Sequence, residues 1–169
     1  LLGIFEYVDN NYIRRENMKI EVCKKNDLLE ILELQKLCYQ ESAILHENNK
    51  IQPLTQSVGS IENEFESGTI FVLKDDNKNI IGSIRGSVEN NICHIYKLIV
   101  HPTFQNKGYG ALLLKHIEDS YSCCTKYSLF TAKKIEKNIG FYSKYGYKII
   151  DEKLQGDMWF VYMEKVNSK

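Results

Sequence analysis

The sequence predicts an α+β fold organised on a single sheet, and three features of its apolar pattern predict it. Residues 69–73, 80–88 and 92–100 are rich in β-branched and large apolar side chains. Only the turn segments Asp75–Asn79 and Asn90–Asn91 separate them, which is the pattern of an antiparallel meander. The third run then leads through a glycine-containing loop into a helical repeat, Leu112, Leu113, Leu114 and Ile117, and back to a strand at 126–131. That is a right-handed crossover to a parallel neighbour. One meander followed by one crossover is an α+β layout rather than a succession of βαβ units.

Taken in order, residues 1–17 read as an N-terminal extension or arm ahead of Met18, and residues 18–169 as one domain. Residues 19–25 are strand-like. Asn26 or Asp27 can cap a helix whose Leu28, Leu29, Ile31, Leu32, Leu34, Leu37 and Cys38 recur at helical spacing. This helix fades between Ser42 and His46. Residues 47–54, polar and containing Pro53, read as a loop, and residues 58–66 as a weaker helix stopped at Ser67-Gly68. Glu41, His46 and Glu47 either face a cationic substrate or form a solvated helix end. Beyond the crossover, Asn138, Phe141, Tyr142 and Tyr145 mark a second long-range helix, which Gly146 is placed to end. Strands at 147–150 and 158–165 close the chain as a pair.

The loop after the third meander strand is Gln105-Asn106-Lys107-Gly108-Tyr109-Gly110. Pro102, which has no N–H for a sheet ladder, stops the strand before it. Loop and first-turn N–H groups have no helical partner and lie at the positive end of the helix dipole, so the natural ligand is a phosphate. Gly108 and Gly110 permit close approach and unusual dihedrals. The Walker pattern fails because Lys107 precedes Gly108 with no hydroxyl residue after it, and the dinucleotide pattern fails because Leu113 stands three residues after Gly110. What fits is Gln-x-x-Gly-x-Gly following a strand that ends Leu98-x-Val100-x-Pro102.

This strand, loop and helix resemble the acyl-CoA pyrophosphate loop of the GNAT acetyltransferases. The segment Asn138-Ile-Gly-Phe-Tyr-Ser-Lys-Tyr-Gly-Tyr147 resembles the family's second signature, and Gly82 matches a glycine common in its third strand. The order of elements from Lys19 to Val166 is similar throughout. The resemblance implies a three-layer α/β/α arrangement. Its central sheet is mixed, mostly antiparallel, of six to seven strands, with helices on both faces. It also implies an N-acetyltransferase that uses acetyl-CoA and an amine acceptor, with no metal. The alternative is a catalytically silent acyl-CoA-binding sensor or interaction module.

By the same resemblance, cofactor contacts fall to Leu98, Ile99 and Val100, to Gln105, Asn106, Lys107, Gly108, Tyr109, Gly110 and Ala111, and to Asn138 and Tyr142. Tyr142 is the candidate acid: a phenol with a pKa near 10 is protonated at neutral pH and can give its proton to a departing thiolate. Phe141, Tyr142, Tyr145 and Tyr147 also read simply as a core aromatic cluster. His94, eleven residues before Gln105, occupies the position where histone-type members carry a glutamate base. Histidine has a suitable pKa, near 6.5. An ordered water is the alternative base. Tyr96 is placed to line the acceptor pocket, and His101 beside Pro102 reads as structural or next to the cofactor.

Composition narrows the rest. Lysine plus arginine equals aspartate plus glutamate, 22 each, which argues against a general basic field for nucleic acid. No apolar run reaches membrane-spanning length, and the opening residues make a poor signal peptide. Five cysteines, odd in number and without a C-x-x-C pair, read as reduced thiols of a cytoplasmic protein rather than disulfides or a zinc site. The expected partner is a small-molecule or peptide amine, not nucleic acid or membrane, and a homodimer is possible.

Overall fold

A computed structural model describes residues 18–45 and 47–168. Seven strands form one sheet in the order β1-β2-β3-β4-β5-β7-β6. β1 (Lys19–Val22), β2 (Thr69–Lys74), β3 (Ile80–Glu89) and β4 (Ile92–Val100) run antiparallel in sequence. β5 (Lys126–Ala132) lies parallel to β4, and β7 (Met158–Val166) inserts between β5 and β6 (Lys148–Gln155). The helices are α1 (Leu28–Leu45), α2 (Gln52–Thr55), α3 (Val58–Ser67), α4 (Tyr109–Ser120) and α5 (Glu136–Lys144). This is the expected α+β layout with helices on both faces. Two bounds differ from the sequence reading. The loop around Pro53 contains the single turn α2, with proline where its missing N–H costs nothing. β6 runs five residues beyond Ile150. Every residue of β6 is exposed, so no alternating apolar pattern marked its length.

The sheet is buried on both faces where helices cover it. In β2, Ile70 and Val72 pack toward α1 and α3 with Leu28, Ile31, Leu32 and Ile61, while Phe71 and Leu73 pack toward α4 with Leu113, Leu114 and Ile117. Alternation at period two thus feeds two cores from one strand. Each fully buried Leu or Ile contributes about 2 kcal/mol. The Gly86 Cα passes so near α4 that a Cβ there would meet Ile117 Cδ1 at 2.6 Å. α3 is capped by Ser57, whose side chain accepts from the Ser60 N–H at 3.2 Å.

β4 breaks its own alternation. Ser83 pairs with Ile99 but Arg85 pairs with Tyr96, so two steps of β3 face three steps of β4. The extra residue is Lys97, at φ +51°. This bulge reverses the parity of the strand. Cys93 and Ile95 face α4 before it; Val100 faces α4 and Ile99 faces α1 after it.

Candidate functional site

β4 and β5 pair only at Ile92–Lys126, Cys93–Tyr127 and His94–Ser128. β4 then continues to Val100 and β5 to Ala132 with no rung between them. The two strands part toward their C-terminal ends, and the gap opens into a cleft of about 430 Å³. Leu98, Ile99 and Val100 form one side of it, the loop residues Gln105, Asn106 and Gly108 with Gly110 and Ala111 of α4 form its end, and Asn138 and Tyr142 of α5 face them. Cys38, Tyr39, Glu41 and Ser42 of α1 line it too, so the cleft is reached from helices on both faces of the sheet.

The loop is braced from within. Gln105 donates its side-chain amide to the Val100 carbonyl at 2.9 Å, so this side chain ties the loop to β4 rather than turning outward. Cys38 Sγ donates to the same carbonyl at 3.4 Å. Burial pushes the Cys38 thiol up to about 11, which leaves it a packed, unreactive group. His101 caps the short 3-10 turn Pro102–Phe104, its Nδ1 accepting from the Thr103 N–H at 3.3 Å. Gly108 ends the loop in the left-handed region, φ +86°, and the first-turn N–H groups of α4 follow directly. Gly110 leaves room in front of the Phe141 ring, 3.6 Å from where a Cβ would stand. Parted strand, left-handed glycine and unpaired first-turn donors fit a phosphate-bearing ligand with an extended amide arm.

Asn138 and Tyr142 lie one turn apart on α5 and both line the cleft. Asn138 donates to Thr131 Oγ1 at 3.1 Å, which holds α5 to β5. Tyr142 packs edge-on against Phe141 and Tyr147. Burial, with Tyr39 adding to it, pushes its phenol well above the ordinary range. Tyr39, across the cleft on α1, is itself pushed up to about 12 by burial. Tyr142 is therefore both a member of the aromatic cluster and a cleft residue.

Three predicted residues stand elsewhere. His94 sits on the last rung shared by β4 and β5, where the gap has not yet opened, and does not line the cleft. The Tyr109 side chain is buried in the α4 core, leaving only its backbone toward the loop. Lys107 stacks its ammonium 5.3 Å from the Phe104 ring and borders, with Tyr109, a second hollow of about 740 Å³ outside α4. At the rim, Glu41 pairs with Lys137 of α5 at 2.5 Å; His46 lies outside the described residues.

No local pattern in the sequence marks the ionic cluster behind the bulge. Arg85, fully buried on β3, donates Nη2 to Gln35 at 2.7 Å and pairs through Nη1 with Glu64 of α3. Lys97 Nζ reaches Glu64 Oε1 at 2.8 Å and Gln56 Oε1 at 2.7 Å. Two cations thus share one carboxylate, and the shared carboxylate fixes the bulged residue to the helical layer. Arg85 lies in a strand and Glu64 on α3, 21 positions apart, and only the fold brings them together.

A sheet parted beside a glycine-bearing loop at a helix start defines a group-transfer architecture of the acetyltransferase type. Residues 66–149 match the family described as the acetyltransferase (GNAT) domain, and the chain belongs to that family. It is 23% identical over 150 residues to an acetyltransferase of Yersinia pestis strain Pestoides F, covering 87% of this chain and 99% of that protein. Among solved structures it resembles the PaiA N-acetyltransferase from Thermoplasma acidophilum in complex with coenzyme A, with a TM-score of 0.71, 19% identity, and coverage of 88% and 98% of the two chains. It also resembles the ribosomal-protein-S18-alanine N-acetyltransferase from Escherichia coli, with a TM-score of 0.74, 16% identity, and coverage of 90% and 95%. Among the described residues, no helix is long and apolar enough to cross a membrane.

Proposed function

We propose that this chain transfers an acetyl group from acetyl-CoA to an amine by direct attack on the thioester. The observation that carries the reading is the single cleft in which the parted β4 edge, the Gln105–Gly110 loop and Tyr142 meet. The loop and the first turn of α4 hold the pyrophosphate through N–H groups, and the free edge of β4 takes the pantetheine arm. A new C–N bond forms as the C–S bond breaks; the amine gives up one proton and the thiolate takes one up.

Tyr142 donates a hydrogen bond to the departing sulfur. A phenol held above its ordinary range stays protonated across the working pH. It outranks a thiol of pKa near 8.5, so it stabilises the developing thiolate, and the proton that sulfur finally keeps comes from solvent. The amine's own proton goes to water in this reading, because His94 lies where the strands are still paired.

Thiol release from acetyl-CoA, measured against a panel of primary amines, tests the proposal. We expect saturable release with one class of amine. In Tyr142→Phe, kcat drops about 100-fold, with the acetyl-CoA affinity nearly kept. Wild-type protein that binds acetyl-CoA but releases no thiol with any amine would contradict it, and unchanged kcat in Tyr142→Phe would remove the donor role.

A further inference from the structure

The gap between β4 and β5 passes through the sheet: α4 and α5 border it on one face, and α1 reaches it from the other. With the first opening taken by the acyl donor, an acceptor approaches from the α1 face. Among the described residues, no helix packs on β5 or β7 on that face. Leu129 and Thr131 turn toward α5, so Ser128 and Phe130 turn away from it. Phe130, two residues past the last rung with β4, is 51% exposed. Its ring lies 5.6 Å from Phe160 and 5.7 Å from Tyr162, the β7 residues beside it. Three rings therefore form an open floor next to the place where the strands part.

The charges around this floor are already matched. Lys126 pairs with Glu164 at 2.8 Å and Lys153 with Asp151 at 3.1 Å on the face that carries Phe130; Glu152, opposite Val161, turns to the other face, where Lys133 holds it at 2.5 Å. Lys153 also sits over the Tyr162 ring, 4.9 Å from its centre. A polycation needs several carboxylates, and these are each engaged by a lysine. What the floor offers is ring surface, which favours an apolar or aromatic body and tolerates a single ammonium on its faces.

We infer that the acceptor is a primary amine carried on an aromatic or apolar body, and that Phe130, Phe160 and Tyr162 bind that body beside the cleft. The inference rests on the reading above of an amine acceptor. It places specificity on β5 and β7 rather than on the acidic residues of α1.

Calorimetric titration of 2-phenylethylamine into protein saturated with desulfo-CoA tests it without requiring turnover. We expect saturable binding, weakened at least tenfold by Phe130→Ala while desulfo-CoA affinity holds, and spermidine at least tenfold weaker than 2-phenylethylamine. Equal binding in Phe130→Ala, or tighter binding of spermidine, would overturn it. So would sedimentation showing a dimer that Phe130→Ala dissociates, since a second copy would then cover the rings. Failure of desulfo-CoA itself to bind would instead overturn the proposed function on which this inference stands.

Discussion

Glu64 is the residue that ties the α3 layer to both β3 and the bulge of β4. Burial alone would raise its carboxyl, but Lys97 and Arg85 outweigh burial and hold it below its usual 4.5. Burial, with Arg85 adding to it, lowers Lys97 despite the opposing pull of Glu64. Removing the carboxylate leaves two buried cations facing each other, a change that costs about 3 kcal/mol. A depressed carboxyl contributes stability that is complete above its unfolded pKa and is lost as pH falls through the lower folded value. Urea unfolding of wild type and Glu64→Gln should therefore differ by about 3 kcal/mol at pH 7. The gap should narrow as the pH drops below about 4.5. A gap that is constant with pH would mean that Glu64 acts through packing and not through charge.

At the scale of elements, the strand-loop-helix from Ile92 to Ile117 was legible because its signals are local. Pro102 stops a strand, Gly108 supplies a left-handed turn, and Leu113, Leu114 and Ile117 repeat on one helix face. The bulge at Lys97 was not legible. Lysine carries no preference for the left-handed region, and its φ of +51° is enforced from outside by Glu64 and Gln56, residues 33 and 41 positions away. β6 was cut short for the opposite reason, since an edge strand exposed on every residue has no burial pattern to read. The same logic explains the site. Gly108 and Gly110 announce themselves by spacing, Asn138 and Tyr142 stand out from an aromatic cluster only through the resemblance to the family, and His94 needed knowledge of where the strands part. Gly108→Ala tests the loop at this scale. Forcing a Cβ into the left-handed region at φ +86° should cost about 1 kcal/mol of stability. Desulfo-CoA affinity, read by calorimetry, should fall about tenfold as the first-turn donors shift. Affinity unchanged in a folded Gly108→Ala protein would mean that the loop's conformation is not what binds.

At the scale of the whole molecule, one sheet separates two cores and then opens between them. The α1 and α3 layer packs on Ile70, Val72 and Ile99, the α4 layer on Phe71, Ile95 and Val100, and the gap lies where β4 leaves β5. A ligand in that gap replaces the missing rungs, so its binding should be visible in the backbone itself. Amide hydrogen exchange with and without desulfo-CoA measures this directly. Slowed exchange is expected at residues 98–100 and 105–112 and at the start of α5 only, with β6 unchanged. Protection that appears on the outer side of α4, around Lys115, Glu118 and Lys165, with the 98–100 edge still exchanging freely, would contradict it.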